Sequence, residues 1–368
     1  MTVRAHACDC DALPHAAHVP TRLLVYARGT HVRQRLAALI LAGNLGEAYD
    51  DSSHLLSAPS VDAVRALMHA LTPLEAEEVH AMPHADGRLH YAEARPLRTW
   101  LTRLETTWFP QVAANLRFAY QPIVHANSDV LGFEALMRAQ DGDRPVPPLD
   151  LLEAATAHDA ARALDAQARI GAIQQGVQRL PPGANIFVNF APSVVYNPDV
   201  CLRTTFRACR EAQVDPRRLV FEVVETEAYP DLPTLRRVLE RYREEGMRVA
   251  LDDLGAGYAS LLYLEALRPD FVKLDRDLVR GVHDADPRVA LIGAITRYAH
   301  DLGIDVIAEG IETPKELRLA LELGVDAIQG YLLARPAHEL DPAVLAQAQA
   351  LVRAHQPAQT VHIDRAAQ

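Results

Sequence analysis

Val249-Ala250-Leu251-Asp252-Asp253-Leu254-Gly255-Ala256-Gly257-Tyr258 ends an apolar run with two adjacent carboxylates and follows them with a two-glycine turn. Adjacent acids at the mouth of a buried strand repel each other, so they persist where a divalent metal or strong hydrogen bonding offsets their charge. The glycines let the backbone turn tightly behind them. Taken alone, the segment also reads as an acidic turn at a strand end. What decides between the two readings is whether other isolated acids stand at strand ends elsewhere in the chain.

Outward from this segment, the sequence from Phe118 onward alternates short apolar runs with longer helical patterns. The expected strands are Phe118 to Val124, Val130 to Leu136, Asn185 to Asn189, Leu219 to Val224, Val249 to Leu251, Phe271 to Leu274, Val306 to Ala308 and Ala327 to Gln329. Helical periodicity runs from Leu151 to Leu180, Leu232 to Glu245, Val289 to Leu302 and Pro314 to Leu323. About eight strands alternating with helices over about 240 residues match the element count of a (β/α)8 TIM-like barrel. An open doubly wound sheet is the alternative, but no GxGxxG or P-loop sequence follows an early strand.

In a barrel, residues at the C-terminal strand ends converge on one face, so acids there read as a site and mid-helix acids as solvated surface. Glu134 sits within Gly132-Phe133-Glu134-Ala135-Leu136, Asn189 ends Ile186-Phe187-Val188-Asn189, and Glu222 lies in Leu219-Val220-Phe221-Glu222-Val223-Val224. Lys273 interrupts Phe271-Val272-Lys273-Leu274-Asp275, and Glu309 follows Asp305-Val306-Ile307-Ala308. Burying an unpaired carboxylate costs several kcal/mol, so such a set is tolerable only if a metal cluster or a cationic substrate neutralises it. Oxygen ligands of this kind suit Mg²⁺ or Mn²⁺ rather than Zn²⁺, which draws His and Cys. Two such ions hydrolyse phosphodiesters by activating water and stabilising the leaving oxygen. Lys273 is then a candidate to orient the water or offset phosphate charge, and Arg138 a second phosphate contact.

These residues belong to a longer series of motifs. Tyr120-Gln121-Pro122-Ile123-Val124, Phe133-Glu134-Ala135-Leu136-Met137-Arg138, Asn189-Phe190-Ala191-Pro192, Asp252-Asp253-Leu254-Gly255-Ala256-Gly257-Tyr258, Val272-Lys273-Leu274-Asp275, Ile307-Ala308-Glu309-Gly310-Ile311-Glu312-Thr313 and Gln329-Gly330-Tyr331 follow one another along the chain. In this order they resemble the EAL domain, the family of cyclic di-GMP phosphodiesterases, over roughly Leu116 to Ala348. The resemblance implies a barrel with one antiparallel strand and two Mg²⁺ or Mn²⁺ ions per active site. Glu134, Asn189, Glu222, Asp252, Asp253 and Gln329 would hold the ions, with Asp252 as the bridge. Glu134, Lys273 and Glu309 would be the catalytic residues, and Gln121, Arg138 and Pro336 the substrate contacts. Glu225 and Glu312 would steady the loop after the aspartate pair. The stretch Phe221-Glu222-Val223-Val224-Glu225-Thr226-Glu227 offers three acids; the family's spacing of acid, two residues, acid favours Glu222 with Glu225. The loop departs from the family pattern at Leu254, Ala256 and Ala259, where Phe, Thr and Ser are commoner, so lowered or more regulated activity is expected. The alternative is a catalytically weak or inactive receptor for cyclic di-GMP. A homodimer through the EAL domain is implied as well.

The whole chain has 368 residues and a formal net charge of −11, which argues against coating a DNA or RNA polymer or an anionic membrane by charge alone. No apolar run approaches the roughly 20 residues that span a bilayer, and the start lacks the apolar core of a secretory signal, so a cytoplasmic protein is expected. Its four cysteines form no disulfide framework. Residues 1–20 read as a tail, with His6, Cys8, Cys10, His15 and His18 either incidental or ligands for a soft metal. A small α/β regulatory domain over 21–95 begins with a strand at Arg22 to Ala27, a helix from His31 to Leu41 and a second helix capped by Ser60, with Val64, Leu67, Leu71 and Leu74 on its apolar face. Leu89 to Ala92 would close it. A connector helix over 96–115, interrupted near Pro110, leads to the catalytic domain over 116–355, and 356–368 reads as a frayed tail.

Overall fold

The computed structural model describes residues 12–195, 197–223, 232–255 and 261–357. Glu225, Glu227, the loop positions Ala256 to Ala259, and His6, Cys8 and Cys10 lie outside the described residues. The chain forms two compact units, Ala12–Asn115 with Ala139–Leu164, and Leu116–Arg138 with the residues from Asp165 onward.

The first unit starts with β1 (Arg22–Ala27), α1 (Thr30–Ala42), β2 (Gly46–Ala48), β3 (Ser53–Ser57), α2 (Val61–Ala70), α3 (Pro73–Glu78) and β4 (Val79–Ala85). β1 is the central strand, antiparallel to both β3 and β4. Period-two alternation sends Leu23, Val25, Leu56, Val79 and Ala81 to one face, where Leu36 and Ile40 of α1 and Val64 and Leu67 of α2 cover them. Ser60 caps α2 as expected, its side chain accepting from the Ala63 amide. Leu74 departs from the expected stripe: it is 77% exposed, because the helix ends at Ala70 and Thr72 opens α3 with a capping box. Leu89 to Ala92 spans the end of the short β5 (Arg88–Leu89) and the start of a 3₁₀ turn at Tyr91–Glu93, which is followed by β6 (Arg95–Pro96). The connector pattern becomes α4 (Leu97–Glu105) and α5 (Phe109–Ala113), with Pro110 in the first turn of α5, where its missing N–H costs nothing.

The barrel opens with β7 (Arg117–His125) and β8 (Val130–Asp141). β9 (Arg144–Val146) and α6 (Pro148–Ala157) follow and belong to the first unit, and then comes α7 (Ala161–Arg179). The expected single helix from Leu151 to Leu180 is thus two, broken where Asp159 takes a left-handed φ of 55°. The remaining elements are β10 (Asn185–Phe190), α8 (Pro198–Cys201), α9 (Arg203–Glu211), β11 (Leu219–Val223), α10 (Leu232–Glu244), β12 (Arg248–Leu254), α11 (Leu261–Leu267), β13 (Phe271–Leu274), α12 (Arg276–Val279), α13 (Arg288–Asp301), β14 (Asp305–Ala308), α14 (Pro314–Glu322), β15 (Ala327–Ile328) and α15 (Pro342–Ala354). Strands pair in the order β10-β11-β12-β13-β14-β15-β7-β8, and β8 pairs β10 to close the barrel. β7 is antiparallel to both neighbours, while the other barrel pairings are parallel. Outward residues such as Phe133, Val188, Phe221, Val249, Val272 and Val306 pack in one large core with the surrounding helices.

Within the first unit, α6 and the turn after it are fixed to α4. Arg103 is buried, donates to the Ala157 carbonyl and, at 2.6 Å, to Asp159, and lies 4.6 Å over the Trp100 ring. His158 stacks on Phe109 at 5.2 Å, and its ring nitrogen lies 3.1 Å from the Thr106 carbonyl. Burial holds the His158 imidazole below its ordinary pKa.

Candidate active site in the barrel

Each barrel strand sends one apolar residue inward to a common layer made of Ile123, Leu131, Phe187, Val220, Ala250, Phe271, Ile307 and Ala327. Side chains alternate with period two along a strand, so the next inward position lies two residues nearer the mouth. Those positions are Gln121 on antiparallel β7, then Asn189, Glu222, Asp252, Lys273, Glu309 and Gln329. On β8 the spacing is three, from Leu131 to Glu134, because the register with β7 slips by one residue between Ile123 and Val124. The polar site is therefore the second interior layer of the barrel, seated on an apolar plug.

Lys273 stands at its centre. Its Nζ lies 2.8 Å from Glu222 Oε1, 3.3 Å from Asp252 Oδ1 and 3.8 Å from Glu134 Oε2, and it also pairs with Glu309 Oε1. Asn189 donates to Glu134 Oε1 at 2.8 Å, and Gln329 Nε2 donates to Glu134 Oε2 at 2.6 Å and to Gln121 Oε1 at 3.2 Å. Gln121 in turn donates to the Ala334 carbonyl. Glu134 is thus held from both sides by amides, whereas Gln329 Oε1 is buried with no hydrogen-bond partner among the described residues.

The charges follow from this packing. Burial opposes ionisation of Glu134, but Lys273 and the hydrogen bonds from Asn189 and Gln329 outweigh it and hold the carboxyl below its ordinary range. Burial raises Glu222 and Glu309 well above that range, despite Lys273, and raises Asp252 as well. Asp253 is pushed up to about 6 by burial and by the Asp252 charge beside it. Burial works against the Lys273 ammonium too, yet the surrounding carboxylates keep it charged far into the alkaline range. One lysine facing four acids leaves the layer short of positive charge.

Carboxylate oxygens of Asp252, Asp253 and Glu309 lie within 4.8 Å of one another. Asp253 reaches this cluster through a left-handed φ of 56°, with its amide bonded to Asp252 Oδ1 at 3.0 Å. This hard-oxygen donor set, with raised carboxyl pKa values and an orphaned amide oxygen on Gln329, fits a divalent cation bound through oxygen. Glu134, Glu309 and Gln329 also line a pocket of about 180 Å³ together with Arg276, Glu312 and Tyr331. Arg138 and Pro336 stand apart from that lining: Arg138 donates to the Met137 carbonyl, and Pro336 is half-buried beyond Arg335. Glu312 accepts from Arg276 at 2.8 Å.

Three residues around the site are not singled out by the sequence. Asp165 and Arg169 on α7 form a buried pair at 2.7 Å; Asp165 accepts from the Ala191 amide just beyond Asn189, and Arg169 also donates to Thr205. Mid-helix charges read as solvated, and only their i,i+4 spacing hinted at a pair. Arg276, next to Asp275 in the Val272-Lys273-Leu274-Asp275 motif, was missed because it follows the strand instead of ending it.

The fold is thus a closed eight-stranded barrel that carries a ring of acids, amides and one lysine at its mouth, a donor set able to hold a divalent cation. Residues 110–336 match the model of the EAL domain, and the chain belongs to that family. Among curated relatives, it is 32% identical over 222 residues to an uncharacterized signaling protein of Caulobacter vibrioides, matching 59% of this chain and 27% of that protein. It is 29% identical over 219 residues to the cyclic di-GMP phosphodiesterase PdeR of Escherichia coli, matching 59% of this chain and 33% of PdeR. The match thus spans about a third or less of these relatives' length. Among solved structures, a standalone EAL protein of Vibrio cholerae in its c-di-GMP-bound form is similar with a TM-score of 0.56 and 29% identity, over 62% of this chain and 94% of that one. Klebsiella pneumoniae BlrP1 aligns over 87% of this chain and 97% of its own with a TM-score of 0.57; at 22% identity that likeness concerns the fold alone.

Proposed function

We propose that the barrel is a cyclic di-GMP phosphodiesterase that opens its substrate to linear 5′-pGpG by attack of water. The observation that carries this reading is the second interior layer, which gathers Glu134, Asn189, Glu222, Asp252, Lys273, Glu309 and Gln329, with Asp253 beside them, around one mouth. Relatives named as cyclic di-GMP phosphodiesterases and EAL structures solved with c-di-GMP support the substrate. Asp252, Asp253 and Glu309, with Glu134, Asn189, Glu222 and Gln329, would hold two Mg²⁺ or Mn²⁺ ions. When bound, such ions supply Lewis-acid charge for the phosphoryl oxygens and make water a better nucleophile.

The chain's own residues do the rest. Glu309 takes a proton from the attacking water, and the Lys273 ammonium beside it orients that water and faces the charge that builds on phosphate. Asn189 and Gln329 fix both oxygens of Glu134, so that ligand does not reorient during the reaction. Gln121, Arg138 and Pro336 contact the substrate, and Glu225 with Glu312 steadies the loop after the aspartate pair. The first unit is assigned a regulatory role, and the working form is a cytoplasmic homodimer that binds neither membranes nor nucleic-acid polymers.

Purified protein with Mg²⁺ or Mn²⁺ is expected to convert cyclic di-GMP to pGpG, and Glu134→Ala to abolish the conversion. Binding of cyclic di-GMP without turnover under both metals would replace the enzyme reading with a receptor.

A further inference from the structure

Arg276 is the only lysine or arginine among the described residues that line the pocket, which otherwise presents Glu134, Glu309 and Glu312 as charged groups. Its placement is built. Gly310 has φ +63°, and a Cβ there would collide with the Arg276 stem, so the arginine lies directly on that backbone. Its guanidinium is held at one end by Glu312, 2.8 Å away, while its side chain remains 45% exposed. The same pocket carries Tyr331, with an exposed ring that has the Arg335 guanidinium 4.3 Å from its centroid.

A planar aromatic surface beside a forked donor suits a flat heterocycle better than a tetrahedral phosphate. Guanine presents O6 and N7 as adjacent acceptors that an arginine meets with two parallel bonds, whereas adenine puts an N6 donor where O6 would be. Resting on the phosphodiesterase reading above, we infer that Arg276 is a specificity-determining residue that exchanges its Glu312 partner for the O6/N7 edge of a substrate guanine. Arg276 then selects cyclic di-GMP over cyclic di-AMP, while the acids and amides of the second layer handle the phosphodiester common to both.

The test is calorimetric binding of cyclic di-GMP and of cyclic di-AMP to the full chain in Ca²⁺, for wild type, Arg276→Ala and Arg276→Lys, with thermal melts to check folding. A bidentate contact to guanine predicts that both variants lose about tenfold in cyclic di-GMP affinity and little in cyclic di-AMP affinity, since lysine keeps the charge without the fork. Equal losses for both dinucleotides would identify a phosphate contact and overturn the inference, as would unchanged cyclic di-GMP affinity in either folded variant. Wild-type protein that binds neither dinucleotide overturns the phosphodiesterase reading and this inference with it. Wild-type preference for cyclic di-GMP that survives in Arg276→Ala overturns the inference alone.

Discussion

Lys273 Nζ lies 2.8 Å from Glu222 Oε1, and neither side chain reaches solvent. Removing one partner of such a pair leaves buried charge uncompensated at a cost of roughly 3–5 kcal/mol. Lys273→Met is therefore expected to lower the melting temperature of metal-free protein sharply and to abolish turnover. Mn²⁺, by supplying the missing positive charge, should raise the melting temperature of the variant more than that of wild type. Equal metal-induced shifts for the two proteins would show that the lysine does not share its acids with a cation.

The raised carboxyl groups set a pH dependence with a defined sign. Asp253 titrates at about 6 against an ordinary value of 3.8, and Asp252 and Glu309 are raised as well. At these three groups the metal-free folded protein binds more protons than the unfolded chain, so each makes stability fall as pH rises, Asp253 through about 4 to 6. A cation needs the same groups ionised. The Mn²⁺-induced rise in melting temperature should be small below about pH 5 and large above about pH 7. A shift independent of pH would mean that these three acids do not ligate.

Most of the barrel was legible in the sequence because its strands are buried on both faces and read as short apolar runs, so a charged or amide side chain in or just after a run stands out. Phe271 to Leu274 matched to the residue, and Glu134, Asn189, Glu222, Asp252, Lys273, Glu309 and Gln329 do meet. In the first unit Arg22 to Ala27 also matched to the residue and Ser60 does cap its helix, but the strands that flank β1 were not legible. β3 is Ser-His-Leu-Leu-Ser and β4 is Val-His-Ala-Met-Pro-His-Ala, where histidine, serine and proline mask the alternation that pairing with β1 restores. The break at Asp159 was hidden for a different reason: Arg103, distant in sequence, supplies the donors that satisfy the end of α6.

Gly330→Ala tests how tightly the floor is assembled. A Cβ at this position would run into the Ile311 backbone, whose amide bonds the Gln329 carbonyl at 3.1 Å and whose carbonyl accepts from Leu332 at 3.0 Å. Overpacking against backbone costs roughly 1–3 kcal/mol, and here it also moves Gln329 away from Glu134. Melting should fall by several degrees and turnover by a larger factor, read by circular dichroism and product chromatography. Full activity at reduced stability would show that Gln329 is not needed in place.

Arg103→Met removes the donors to Ala157 and Asp159 and leaves a buried helix-end carbonyl unpaired, at about 1–3 kcal/mol. Trp100 and Trp108, the two tryptophans of the chain, both lie in the first unit, so fluorescence excited selectively at tryptophan follows that unit alone. Its fluorescence melt should shift downward. An unchanged melt would mean that the arginine is dispensable to the packing of α6 on α4.

The backbone of the segment from Glu309 to Glu312 is tightly packed at two points. Gly330 lies against Ile311, and the Arg276 stem lies on Gly310. A side chain gained at either glycine must be matched by a loss elsewhere before the segment can sit where it does. Arg276 and Gln329 therefore both lean on this one segment, so a disturbance there reaches the guanine contact and the amide that fixes Glu134 together.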